Sequence, residues 1–323
     1  MSRFQLPFLY IAIFISAISA SLLGIYDNIK GIEAVYQLPK SPKLIVVLLH
    51  GCSHSATDFY PKNEKCINCI GLPVEVSIVT ELLTNNAIPL AISSRNRDHK
   101  CWSVEEDDTK LISESILYFL QHIVRDTTLP IYIFGASSGG SYASYYSQHA
   151  SQHGVTISGV IVQISPLHIN TMPPTGYNIP NAIIHMSKDK RMSKYIRHQI
   201  TKLATYFPIQ EYIIHPIPLS IQHFSPILNS IDANNFINAL YKAGLLNDTY
   251  YLLHDPREVR IMTPSWRAIA QQTLPQDIIS KDNNLTADVS GISELMNVAY
   301  ASHEISAQYV IGAIQWCSAT HTS

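Results

Sequence analysis

A serine hydroxyl attacks a carbonyl only when an imidazole takes its proton, a carboxylate orients that imidazole, and N–H donors meet the oxyanion. This sequence holds residues of each kind next to turn signals. Ser137 sits in Gly135-Ala136-Ser137-Ser138-Gly139, followed by Gly140, so glycines on both sides permit a tight turn that thrusts the side chain outward. Read as chemistry, this run is a nucleophile turn; the bland reading is a small-residue start to a helix. Asp189, in Met186-Ser187-Lys188-Asp189, is the candidate carboxylate, set against the reading of a solvated acid among Lys188, Lys190 and Arg191. His223, in Ser220-Ile221-Gln222-His223, is the candidate base; His215 rivals it, and His254 and His303 are less well placed. His50-Gly51-Cys52 marks a further turn, and Cys52 makes a poor nucleophile because no base stands beside it.

Such residues need a frame. Leu44-Ile45-Val46-Val47-Leu48-Leu49 is the continuous apolar run of a strand buried on both faces. Further strands are predicted over 88–92, 131–134, 155–164, 182–186 and 211–215. Helices are predicted over 74–85, 105–124, 139–150 and 190–205, the second opening on Glu105, Glu106, Asp107 and Asp108. Strands alternating with helices give a parallel sheet with ligands at the carboxyl ends of its strands. Ser137, Asp189 and His223 each follow a predicted strand, and that is their functional case. Tyr142, Tyr145 and Tyr146, on the helix after the turn, read as packing residues. Past residue 226 the strand signal fades into helical periodicity at 234–240, 264–273 and 291–315.

Over residues 43–226 the chain resembles the α/β-hydrolase superfamily. Residues 44–51 are similar to its strand 3 and oxyanion loop, 131–140 to its nucleophile elbow, 182–189 to its strand 7 and acid, and 211–223 to its last strand and histidine. The resemblance implies an α/β fold with a mostly parallel sheet and the chain order Ser137, Asp189, His223. It also implies an oxyanion hole made by the backbone N–H groups of Cys52 and Ser138. More narrowly, His50-Gly51-Cys52-Ser53-His54-Ser55, the run 135–140 and the helical tail resemble a eukaryotic group of secretory α/β-hydrolase-like proteins of plants and algae. Two departures stand out. The short stretch between Ile164 and Ala182 leaves no room for the large lid of many lipases, and Ala136 precedes the serine where many lipases carry histidine.

The expectation is a serine hydrolase that needs no cofactor and cleaves an ester, thioester or related acyl bond in a small or lipid-like substrate. The alternative is a membrane-tethered, non-catalytic binding module whose helical tail is the interaction surface. Composition narrows the partners. Of 323 residues 46% are hydrophobic and 14% charged, so the chain folds; a net charge of −2 without a basic block argues against nucleic acid. After Arg3, residues 4–25 carry no charge and read as a signal peptide or membrane anchor ending near residue 26. The remainder then faces the secretory lumen or the exterior, where Asn247-Asp248-Thr249 and Asn284-Leu285-Thr286 fit glycosylation. Five cysteines, Cys52, Cys66, Cys69, Cys101 and Cys317, suit disulfides of open connectivity; a zinc site from Cys66, Cys69, His99 and Cys101 has irregular spacing. The expected organisation is therefore a leader over 1–26, a core over 43–226 and a helical extension over 227–323.

Overall fold

The sheet begins earlier in the chain than the sequence pattern suggests. The computed structural model describes residues 22–106, 108–169, 173–258 and 264–321, so most of the expected leader lies outside the described residues. Strand β1 (Ile25–Ile29) pairs antiparallel with β2 (Ile32–Tyr36). Ile25 and Tyr26, placed at the end of the expected leader, oppose Tyr36 and Val35 in that ladder. Lys30 and Gly31 close the hairpin at φ 54° and 91°, the left-handed pair a two-residue turn requires. Among the described residues no helix is long and apolar enough to cross a membrane.

From there the chain alternates through β3 (Leu44–Leu49), α1 (Pro73–Thr84), β4 (Ala87–Ile92), α2 (Thr109–Tyr118), β5 (Ile131–Ala136) and α3 (Ser138–His149). It continues through β6 (Gly159–Gln163), β7 (Asn181–Met186), α4 (Lys190–Leu203) and β8 (Ile209–Ile214). The spatial order is β1-β2-β4-β3-β5-β6-β7-β8, parallel from β4 to β8 with the hairpin antiparallel at one edge. Side chains alternate across β3: Ile45, Val47 and Leu49 face α2, α3 and α4, while Val46 and Leu48 face α1. Helix α2 starts at Thr109, four residues later than predicted, with Asp108 at its N-cap and Glu105 and Glu106 ahead of it.

Beyond β8 lie α5 (Ile221–Phe224), α6 (Ser230–Lys242), α7 (Trp266–Thr273), α8 (Gln276–Lys281) and α9 (Gly291–Tyr300). They share a separate apolar core that includes Phe224, Phe236, Leu240, Trp266, Ile292 and Met296. The predicted single helix over 291–315 is two. α9 stops at Ala301, in the left-handed conformation at φ 59°, and α10 (Val310–His321) starts afresh. α10 returns to the sheet: a Cβ on Gly159 of β6 would stand 2.6 Å from Cβ of Cys317. Ala313, Ile314 and Cys317 are buried with Val46, Leu48 and Phe134. The expected extension over 227–323 therefore divides. The helices from α5 to α9 form a cap inserted after β8, and α10 completes the second face of the sheet. The reason is packing: the α1 side of the central strands needs a second helix, and among the described residues α10 supplies it.

Candidate active site

Backbone geometry positions Ser137. It stands between β5 and α3 at φ 51°, a strained conformation for a residue with a Cβ. Its N–H donates to the Gln163 carbonyl of the neighbouring strand at 2.9 Å. The glycines around it are forced by close backbone approach. A Cβ on Gly135 would strike Gly139, and one on Gly139 would strike the carbonyls of Leu49 and His50. A Cβ on Gly140 would come within 2.9 Å of the Gly135 carbonyl.

The histidine that reaches Ser137 is His303. Its Nε2 lies 3.4 Å from Ser137 Oγ, and its Nδ1 lies 2.8 Å from Asp189 Oδ2. A carboxylate only accepts, so Nδ1 carries the proton and donates to Asp189, leaving the Nε2 lone pair for the serine hydroxyl. The 3.4 Å separation is the loose approach common where no substrate is present. Asp189, at the end of β7, caps α4: its Oδ1 accepts from Met192 N–H at 3.1 Å. The strand end and the helix start thus aim the other oxygen at His303.

His223, the base expected from the sequence, does not stand beside Ser137, and the structure corrects that expectation. His223 Nε2 donates to the Leu295 carbonyl at 2.8 Å, tying α5 to α9 inside the cap. Burial pushes its pKa down, outweighing the hydrogen bond to the Leu295 carbonyl, which favours the protonated ring. The cap insertion is the cause. It carries the chain away after β8 and brings it back only at Ala301, so the residue facing Ser137 comes far later in sequence. A sequence signal for His303 existed: Ser302-His303-Glu304-Ile305-Ser306 interrupts the helical pattern just before the last helix.

His303 is held from the cap as well. Arg257 Nη1 donates to the His303 carbonyl at 2.9 Å and Nη2 to Ser302 Oγ at 2.7 Å. The guanidinium is paired with Asp255 at 3.2 Å. Lys188 N–H donates to the Ala301 carbonyl at 2.9 Å, so the acid loop and the histidine segment are also joined directly. Arg257 escaped the sequence reading because a lone loop arginine carries no pattern.

On the other side of Ser137 lies the loop 50–54. A Cβ on Gly51 would be 3.7 Å from Ser137 Cβ, and Gly51 and Cys52 both line the cavity above the serine. Cys52 is joined to Cys101 in a disulfide, which removes it as a thiol nucleophile. The Cys52–Cys101 bond ties this loop to Trp102, whose N–H donates to Ser138 Oγ at 3.4 Å. His50, buried and with its pKa pushed down to about 4 by burial, donates from Nδ1 to the Gly51 carbonyl at 2.6 Å. Its Nε2 accepts from Ser94 N–H at 3.0 Å, so this ring braces the loop. Cys66 and Cys69 form a second disulfide, and with Cys101 also bonded no thiolate remains for the zinc site weighed above. Cys317 is free but buried, its pKa pushed up to about 12 by burial.

The cavity above Ser137 is about 270 Å³ and is walled by both the sheet's loops and the cap. His54, on the loop 50–54, bonds Asp58 at 3.0 Å and stands 3.9 Å from Glu75 of α1. Burial alone would depress its pKa, but the Asp58 hydrogen bond and the Glu75 and Asp58 charges outweigh it and raise it to about 9. From the cap, Glu294 of α9 accepts from Val74 N–H at 3.0 Å, and Asn297 donates to Glu304 at 3.0 Å. Burial holds the Glu75 and Glu294 carboxyls above their usual range.

A strained serine on a strand-to-helix elbow, in a sheet of this order, settles the architecture. The chain has the α/β-hydrolase fold. No protein-family model matches the chain, and no curated protein does. Solved structures do align with it. A dienelactone hydrolase from Anabaena variabilis is 16% identical with a TM-score of 0.43, over 60% of this chain and 87% of its own. An esterase of Pyrococcus furiosus is 11% identical with a TM-score of 0.43, over 59% and 82%. A predicted hydrolase of Thermoplasma acidophilum is 14% identical with a TM-score of 0.42, over 60% and 86%. The fold assignment rests on strand order and elbow geometry rather than on these likenesses.

Proposed function

We propose that the protein is a serine hydrolase that cleaves a carboxylic ester, thioester or related acyl bond through an acyl-enzyme on Ser137. The observation that carries this reading is the continuous chain from Ser137 Oγ through His303 to Asp189, at 3.4 and 2.8 Å, built on a strained elbow. Ser137 attacks the acyl carbon while His303 Nε2 takes its proton. The Asp189 carboxylate holds the tautomer and offsets the charge of the imidazolium. Backbone N–H groups of Cys52 and Ser138 receive the oxyanion. His303 then protonates the leaving group, and water, deprotonated by the same ring, releases the acyl group and restores Ser137.

The alternative of a membrane-tethered, non-catalytic binding module drew on the weak sequence context of Asp189 and His223 and on the size of the tail. His223 does turn away to Leu295, and what favours catalysis over that alternative is His303 standing between Ser137 and Asp189. A secretory setting and kinship with the plant and algal secretory group remain part of the proposal. They are supported by the apolar residues 4–25, the two disulfides, and the exposed Asn247 and Asn284. The test is labelling of the purified protein with a fluorophosphonate probe. Wild type is expected to label, whereas Ser137→Ala, confirmed folded by circular dichroism, is not. Equal labelling of the variant overturns the nucleophile assignment.

A further inference from the structure

The cavity over Ser137 contains more acceptors than the protein can satisfy. Glu75 is 3% exposed, and its Oε2 receives no hydrogen bond from any N–H or hydroxyl among the described residues. The neighbour with which it can share a proton is another buried carboxyl, that of Glu294. Asn297 is 9% exposed, and its Oδ1 is unpartnered. Flipping that amide is no remedy, since Nδ2 already donates to Glu304 Oε2 at 3.0 Å and an oxygen there would face an oxygen.

The cations nearby are already engaged. Arg257 is paired with Asp255 and bonded to the His303 carbonyl, and His54 is bonded to Asp58. Glu75, Glu294 and Glu304 therefore share one wall whose nearest cation, His54 at 3.9 Å from Glu75, is already bonded to Asp58, and burying more carboxylates than the cations can offset is costly. A group that brings both positive charge and N–H donors complements all of these atoms at once.

We propose that this cavity selects substrates bearing an ammonium group, which Glu75, Glu294, Glu304 and the Asn297 carbonyl hold while Ser137 attacks the acyl carbon. This deepens the serine-hydrolase reading above and rests on it. Charge-assisted hydrogen bonds from ammonium to carboxylate replace the proton that Glu75 and Glu294 otherwise share. The preference consequently strengthens as pH rises and those carboxyls ionise in the presence of His54, Asp58, Glu304 and Arg257. It fades once the ligand amine loses its own proton.

The experiment compares isosteric ester pairs that differ only in replacing a methyl by an ammonium. 4-Methylumbelliferyl 3-aminopropanoate against the butanoate probes the acyl side, and 2-aminoethyl acetate against propyl acetate probes the alcohol side. The expected result is kcat/KM higher by about tenfold or more for the cationic member of at least one pair, as charge-assisted bonds imply. The same pair identifies which side enters the acidic wall. Glu294→Gln and Asn297→Leu are expected to bring that ratio toward one. Should these variants fail to fold, propylammonium against propanol as inhibitors of butanoate hydrolysis by wild type gives the same discrimination, with the cation inhibiting more strongly. Hydrolysis of the neutral esters at rates equal to or above the cationic ones in both pairs overturns this inference while sparing the hydrolase. No hydrolysis of any ester, together with no fluorophosphonate labelling, overturns the hydrolase itself.

Discussion

The elbow at Ser137 and the segment at His303 meet in one site, yet they are built in opposite ways. Residues within a few positions of each other, together with the two adjacent strands, hold Ser137: glycines admit the backbone, β5 enters, α3 leaves, and a hydrogen bond to β6 fixes the strained φ. His303 owes little to its neighbours in sequence. Its ring is aimed by Asp189 from the end of β7, its carbonyl is held by Arg257 from the cap, and its segment is anchored by the Lys188 N–H. The serine's setting is local and the histidine's is assembled.

The largest test of this contrast is to remove either half. Ser137→Ala and His303→Ala are each expected to lower kcat by about 10⁴-fold or more in an ester assay, because triad members act as a unit. His223→Ala, by contrast, should retain fluorophosphonate labelling. Residual activity of His303→Ala close to wild type would break the assembled-base reading.

The seam between cap and sheet supplies a pH test. The folded pKa of His54, raised to about 9, exceeds its unfolded value, so its stabilisation is complete below about pH 6.5 and is lost as pH climbs through 9. Glu75 and Glu294, also raised by burial, work in the same direction, since unfolding lets them ionise. Thermal unfolding is expected to show stability falling by about 3 kcal/mol from pH 6.5 to beyond 9. His54→Gln should flatten that fall; an unchanged slope in the variant would remove His54 from the seam.

Smaller effects sharpen the comparison from the cap side. Arg257→Met leaves the triad residues in place but frees the His303 backbone, and a misplacement of this kind is expected to lower kcat by about 10²-fold. Ser137 labelling should persist at a reduced rate. His223→Ala removes the ring N–H that meets the Leu295 carbonyl between α5 and α9 and is expected to cost about 1–2 kcal/mol in a denaturant titration.

Legibility in the sequence followed the same divide. The central strands of the parallel sheet could be read because burial on both faces makes continuous apolar runs, the half-buried edge strand β8 by its place after the α4 helix pattern, and the elbow because glycines mark it. The edge hairpin was hidden by the apolar stretch before it, although its alternation around Lys30-Gly31 was there to find. His303 was hidden by a helix stop made by Ala301 rather than by a glycine or proline, within a run apolar on both sides. Glu75, Glu294 and Asn297 had no local signature, being ordinary polar residues on amphipathic helices until packing buried them.

By itself, then, the amino-acid order determined the parallel core, the strained serine and the acid after β7, because each is encoded by contacts along one strand or around one turn. The tertiary structure alone decided which of the histidines stands beside the serine, that the helical tail is a cap followed by a core helix, and that the roof of the site is acidic. Those outcomes depend on residues distant in sequence meeting across a packed interface, and no spacing along the chain records such a meeting.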